Sequence, residues 1–200
     1  MAITAQPILQ VKTLGGNTGP QVANPQEAAT QTFLPGTVVA LDGSGNLIAW
    51  AGANPAGVAV LCGISIVGGS SIVTPGTPVT LHFGAVQNQT SAVNIPIGAP
   101  PNDAHCEIYT GSPNNVFRAT FGNGGNAATP ALSDIGVHYG LTADTAGTHW
   151  YVDKNKAVVG TSTAVQVVGV YPDPSQGGAA FSANTQVEFI FEPAVVQTVA

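Results

Sequence analysis

Three residues close together in the chain, Ser133, Asp134 and His138, are of the types that form a hydrolytic triad. In a triad the hydroxyl attacks the substrate, the imidazole takes its proton and the carboxylate orients the imidazole. Triad partners normally converge from different elements of a fold, whereas these three share one short stretch. No serine lies in a G-x-S-x-G elbow. The sequence therefore predicts no catalytic residues, and we expect the protein not to be an enzyme.

The residues that could bind a metal ion are spread along the chain: His82, His105, His138, His149, Cys62 and Cys106. No two histidines have the i, i+4 spacing of a helical metal site, and the two cysteines lack the spacing of a zinc finger. We expect no metal site and no cofactor. Both cysteines sit among apolar residues, which predicts buried free thiols, with a single disulfide between them as the alternative.

The segment Asp42–Asn46 begins like a calcium-binding loop. It continues with Leu47 where such a loop needs glycine and with Ala53 where it needs glutamate. Apolar runs flank the segment on both sides, which is typical of the turn of a β-hairpin. The sequence therefore predicts a hairpin at this position.

Short apolar or alternating runs, separated by turn residues, make up the chain from Phe33 onwards. The clearest are 116–121 and 187–191, in which large apolar residues occupy every second position. A third run, 58–67, predicts a buried strand with a bulge at Gly63. No stretch keeps a helical period, so the sequence predicts an all-β fold, either a β-sandwich or barrel-like.

Three segments are predicted from the distribution of proline, glycine and apolar residues. Residues 1–32 are rich in Pro and Gly and predict an extended N-terminal arm, with one short helical turn at 26–29 as an option. Residues 33–97 predict a β subdomain, and residues 98–200 a second β subdomain or a continuation of the first. The Pro-rich stretch 94–101 is the predicted joint between them.

Charge is the most unusual feature of the composition. Only 7% of the 200 residues are Asp, Glu, Lys or Arg, against about 25% in a typical soluble domain. Such a surface lacks the charge repulsion that keeps proteins apart, and it suits a protein packed against neighbours. With four basic residues and a net charge of −6, nucleic-acid binding is not expected, because it relies on several cations that neutralise phosphates.

The chain shows no sign of export or membrane insertion. Met1–Pro7 has neither the basic region nor the apolar region of a signal peptide. The longest apolar stretch, 58–67, is far shorter than the roughly 20 residues of a bilayer span. We therefore expect synthesis in a cytoplasm and no membrane partner.

Two parts of the sequence resemble head proteins of tailed phages that are called decoration, cement or capsid-stabilising proteins. The first part comprises Phe33–Asn46, Ala51–Ala53 and Gly57–Ala59, and is similar to the P-G-x-x-V-x-L-D-G-x-G opening of small decoration domains. The second comprises Gly136–Leu141, Gly147–Lys154, Val167–Pro174 and Val187–Phe191, and resembles the C-terminal part of longer cement proteins. Together these stretches make up about a quarter of the chain.

The resemblance implies a structural virion protein without catalytic residues. It implies binding to the outer surface of an icosahedral, HK97-like capsid through the major capsid protein, as a homotrimer or alternatively a homodimer. We expect residues 1–32 to act as a bridging arm that adds a strand to a neighbour's sheet. Phe117, Phe121 and Trp150 are expected in the core, and Trp50 is the candidate interface aromatic. The alternative function is a head-fibre or tail adhesin that binds a host glycan.

Overall fold

The computed structural model describes residues 2–14, 19–28, 31–52, 61–69, 106–147, 149–156, 164–171, 181–183 and 185–193. Its regular elements are twelve strands and two short 3-10 turns, at Leu132–Asp134 and Lys154–Lys156. The strands are β1 Leu9–Thr13, β2 Val22–Ala23, β3 Val38–Leu41, β4 Leu47–Ala49, β5 Leu61–Ser65, β6 Ile108–Thr110, β7 Asn115–Asn123, β8 Asn126–Ala127, β9 His138–Ala143, β10 Trp150–Asp153, β11 Val165–Tyr171 and β12 Gln186–Phe191. The predicted all-β class is confirmed.

The larger sheet closes on itself around strand β7. Strands β7, β10, β9, β11 and β12 pair in that order, and β12 pairs back with β7. All these pairings are antiparallel except the one between β7 and β10. Side chains alternate between the two faces of a strand, and Phe117, Phe121 and Phe189 are all fully buried. The result is a barrel-like ring filled by aromatic and branched side chains.

The smaller sheet has the order β2-β6-β5-β3-β4, with every pairing antiparallel. Strands β3 and β4 form the predicted hairpin around Asp42–Asn46. The predicted bulge near Gly63 is present, because the register between β3 and β5 shifts where Val39 lies opposite Gly63 and Ala40 opposite Leu61. Gly63 has a φ of +151°, a conformation that residues with a Cβ rarely adopt.

The N-terminal segment is extended, as predicted, but it lies against the larger sheet along the whole of β7. Strand β1 pairs antiparallel with β7. Before it, Ile3 N donates to Gly125 O at 3.0 Å and Gln6 N donates to the Thr120 hydroxyl at 3.1 Å. Its apolar side chains Ile3, Ala5 and Ile8 are buried to between 3 and 4% exposure. The segment is therefore part of the fold of its own chain.

One helical prediction within this segment is wrong. Glu27 forms a parallel β-bridge with Leu47, and Ala28 N donates to Leu47 O at 2.9 Å. The backbone at 26–28 is thus extended, because the edge of the β3–β4 hairpin offers it hydrogen bonds that an isolated helical turn could not match.

Buried apolar residues form one main core and two satellites. The main core joins the interior of the ring to one face of the smaller sheet, through Val38, Leu61 and Ile64. The other face of the smaller sheet carries a second cluster that includes Cys62 and Cys106. The smaller sheet takes strands from all three segments that the sequence suggested, and the boundaries at 32 and 97 stay predictions. The Pro-rich stretch 94–101, His82 and His105 lie outside the described residues.

Candidate interaction surface

A groove of about 460 Å³ opens where the N-terminal segment passes the smaller sheet. Residues 7–10, 34–36 and 65–66 line it, together with Tyr109 and His149. We refer to this feature as the apolar groove. Two of its side chains reach solvent, Leu9 with 54% and Leu34 with 37% of their surface exposed. A concave, mostly apolar surface of this kind is suited to binding a partner side chain or segment.

The wall of the groove depends on a close approach between the N-terminal segment and Gly36. A Cβ at this position would lie 2.8 Å from the Pro7 Cβ, and φ at Gly36 is +79°. Only glycine fits both conditions without displacing the segment. The sequence did not predict the groove, because the segments that line it are far apart in the chain.

Trp50, the aromatic that we expected at an interface, lies in the core. Its ring stacks on Trp150 with the ring centroids 4.9 Å apart, and each side chain is only 7% exposed. The prediction of an interface role for Trp50 is therefore wrong, because the larger sheet supplies a second indole to cover it. The predicted core positions Phe117, Phe121 and Trp150 are confirmed.

Strand β1 is held to the ring by an ion-pair cluster centred on Glu188. Lys12 Nζ donates to one carboxylate oxygen of Glu188, and Arg118 donates to the other at 2.9 Å. The Arg118 guanidinium also lies 3.3 Å from the centre of the Tyr171 ring. Burial on its own would raise the pKa of Glu188, but the hydrogen bonds from Lys12 and Arg118 outweigh it and the pKa is lowered.

Asp134 connects three parts of the fold through its carboxylate. Its carboxylate accepts hydrogen bonds from Tyr139 OH at 2.6 Å, Ala131 N at 2.8 Å and Lys154 Nζ at 3.0 Å. Burial opposes ionisation, yet these donors lower the pKa of Asp134 overall. His138 pairs with Glu192, not with Asp134. The structure therefore does not assemble a triad from Ser133, Asp134 and His138.

The two cysteines are buried free thiols, as expected. Burial raises the pKa of both Cys62 and Cys106 to about 12, so neither is a thiolate at neutral pH. The alternative of a disulfide between them is not realised in this structure.

The Asp42 carboxylate accepts hydrogen bonds from Ser44 N and Asn46 N within the hairpin turn. The acidic and polar residues of Asp42–Asn46, which resemble the start of a calcium-binding loop, thus stabilise the turn of a hairpin.

Neither a metal-binding cluster nor a membrane-spanning helix is found in the described part of the chain. No group of three or more His, Cys, Asp or Glu side chains there could hold a metal ion. Among the same residues, no helix is long and apolar enough to cross a membrane.

Comparison with known proteins finds no matching family model, no matching curated protein and no matching solved structure. The resemblance to phage head proteins thus stays a prediction.

The free energy of unfolding is expected to fall as the pH drops below about 5. The ordinary pKa values are 4.5 for Glu188 and 3.8 for Asp134, and both pKa values are lowered in the folded protein. As the pH falls, the carboxylates of the unfolded chain are protonated before those of the folded protein. The stabilisation by these two carboxylates is therefore complete at pH values above their ordinary pKa values, and it is lost as the pH falls through their lower pKa values in the folded protein. Urea unfolding at a series of pH values measures this slope.

The variant Glu188→Gln supplies the matching test. It should be less stable at neutral pH by roughly 1–3 kcal/mol, because Lys12 and Arg118 lose their charged partner. It should also show a shallower loss of stability in acid. An unchanged acid slope in this variant would mean that Glu188 is not a source of the pH dependence.

Proposed function

We propose that this chain is a non-enzymatic structural protein that binds the outside of an icosahedral phage capsid and stabilises it by bridging major capsid protein subunits. The observation that carries the proposal is the near absence of charge, 7% of the sequence. Three of the four basic residues, Lys12, Arg118 and Lys154, are moreover paired with carboxylates of the same chain. Few cations are therefore left for contact with a partner, which agrees with a contact that does not rely on basic side chains.

The mechanism is stabilisation by preferential binding. A protein that binds the assembled shell but not free subunits shifts the equilibrium toward the shell. Contacts with two or more capsid subunits add avidity even when each contact is weak. Because β1 is docked on its own β7, we place the capsid contact on the exposed surface of the folded domain and no longer on a free N-terminal arm.

The non-enzymatic part of the proposal is supported by the buried polar groups. Asp134, Asp153 and Glu188 are each less than 10% exposed, and each carboxylate accepts hydrogen bonds from neighbouring residues of the fold. Charges satisfied in this way stabilise a fold and are poorly placed to act on a substrate. The proposal assigns no catalytic, metal-binding or cofactor-binding residue.

Co-sedimentation with capsids that lack the protein tests the proposal. Purified protein should bind saturably, at one fixed ratio to the major capsid protein, and should raise the melting temperature of the capsid. Bovine serum albumin at the same concentration serves as a control for trapping in the pellet. Absence of binding, or only a few copies per particle, would contradict the proposal and favour the adhesin alternative, which retention on host cell-wall polysaccharide would then test.

A further inference from the structure

Two large aliphatic side chains are exposed on a single short turn between β8 and β9. Leu132 has 68% and Ile135 has 43% of its surface exposed. They are three positions apart across the 3-10 turn Leu132–Asp134, and side chains at that spacing lie on the same side of such a turn. We call this pair the apolar tip.

The turn that carries the apolar tip is rigidly held from beneath. The Asp134 carboxylate accepts hydrogen bonds from three sides. The donors are Ala131 N at the start of the turn, Tyr139 OH on strand β9, and Lys154 Nζ immediately after β10. Gly136 N donates to Val167 O of β11 at 2.8 Å, which fixes the exit from the turn. A rigid apolar projection loses little conformational entropy when it binds, and this favours a role in recognition.

The same chain carries a concave surface of matching chemistry, the apolar groove. Its volume of about 460 Å³ exceeds the space that two four-carbon side chains need. The described residues that line the groove include one histidine, His149, and none of them is Asp, Glu, Lys or Arg. The apolar tip adds no net charge either, because Asp134 is paired with Lys154. No charge repulsion between these described residues therefore opposes contact between the two surfaces.

The tip and the groove lie at opposite ends of strand β10. His149, in the groove, immediately precedes β10, and Lys154, which holds the turn of the tip, immediately follows it. At about 3.3 Å per residue, the two ends are roughly 16 Å apart. A molecule therefore cannot place its own tip in its own groove, whereas a second copy can.

We propose that the protein associates with itself by inserting the apolar tip of one copy into the apolar groove of the next. The contact joins two different surfaces of the chain, so it is heterologous and leads to a closed ring or an open filament. A closed ring uses every tip and every groove. This inference does not depend on capsid binding, and either one can fail while the other holds.

Sedimentation velocity of the full chain, at about 100 μM, tests the inference with one variant of each surface. The wild type should be oligomeric. Leu132→Asp, on the tip, and Leu34→Asp, on the groove, should each weaken association at least about tenfold and sediment as monomers. Leu14→Asp is the matched control, because Leu14 is 42% exposed and belongs to neither surface, and it should stay oligomeric.

An equimolar mixture of the two variants gives the most specific result. Leu132→Asp keeps a working groove and Leu34→Asp keeps a working tip, so one interface can form between them. The mixture should therefore produce a complex of two chains, although each variant alone is monomeric. The near-ultraviolet circular dichroism of the stacked pair Trp50 and Trp150 verifies that both variants are folded. Leu132→Ser and Leu34→Ser replace any variant that is not folded.

Several outcomes would overturn the inference. A monomeric wild type at this concentration would do so, as would variants that remain oligomeric. Monomeric variants whose mixture stays monomeric would show that the contact is not between tip and groove. A Leu132→Asp protein that is still oligomeric but no longer binds capsids would assign the tip to the capsid contact instead.

Discussion

Deletion of residues 2–8 is expected to lower the free energy of unfolding by at least about 4 kcal/mol. The deletion removes the buried side chains of Ile3, Ala5 and Ile8, which pack against Tyr151 and the main core. Losing one buried isoleucine side chain typically lowers stability by about 2–5 kcal/mol. Since whole domains are stable by only about 5–15 kcal/mol, the deletion should remove a large part of the protein's stability. Urea denaturation followed by circular dichroism measures the loss.

A pair of neighbouring point variants controls for the removal of chain length. Ile8→Ala should lower the free energy of unfolding by about 2–5 kcal/mol, because Ile8 is 3% exposed. Leu9→Ala should change it by less than about 0.5 kcal/mol, because Leu9 is 54% exposed. Equal effects of the two substitutions, or a fully stable deletion variant, would show that the N-terminal segment is not part of the folded domain.

This prediction changes how a capsid-binding arm can be tested. A free bridging arm at 1–32 would mean that a chain without residues 2–30 folds normally and only loses capsid binding. In the structure those residues supply β1, β2 and the buried apolar side chains of Ile3, Ala5 and Ile8. A truncated protein that failed to bind capsids would thus report a damaged fold. Exposed positions of this segment that lie outside the groove, such as Leu14 and Val22, are the appropriate sites for substitution.

Substitution of Gly63 by alanine is expected to lower the free energy of unfolding by at least about 3 kcal/mol. A Cβ at this position would lie 1.9 Å from the carbonyl oxygen of Tyr109 in the neighbouring strand β6. That atom belongs to the backbone, so a side-chain rotation cannot relieve the overlap. The φ of +151° adds backbone strain for any residue with a Cβ. Thermal and urea unfolding of the purified variant measure the effect.

Gly43→Ala is the matched control for this substitution. Gly43 lies in the β3–β4 hairpin turn and needs no positive φ, and a Cβ added to it would meet no heavy atom of the described residues within 4 Å. Its replacement should change stability by less than about 0.5 kcal/mol. If Gly63→Ala were as stable as Gly43→Ala, strands β5 and β6 could not be paired as they are in this structure.

Sequence patterns located the strands because their signals are local. The alternation of apolar residues in 187–191 assigns one face of β12 to the interior, and Val187, Phe189 and Phe191 are indeed fully buried. Apolar runs on both sides of Asp42–Asn46 were enough to predict the β3–β4 hairpin, because both strands and the turn are contiguous in the chain. Isolated cysteines in apolar surroundings were correctly predicted to be buried free thiols.

Polar positions show where local patterns stop being informative. By alternation, Glu188 belongs to an outward face of β12, yet it is 9% exposed. Its partners Lys12 and Arg118 come from β1 and β7, at separations of 176 and 70 residues. Local spacing indicated for Asp134 only the place of the orienting carboxylate in a triad, whereas its contact with Lys154 joins two parts of the fold on either side of β9 and β10.

The sequence by itself determined the all-β class, the low charge of the surface and the burial of most large apolar side chains, because each depends on composition or on neighbours along the chain. Tertiary structure decided which strands pair, that β12 returns to β7 to close the ring, and that the N-terminal segment docks on β7. It also brought Trp50 against Trp150 and formed the apolar groove. The physical reason is that alternation specifies which face of a strand is buried, whereas its partner is chosen by packing and hydrogen bonding between residues far apart in the chain.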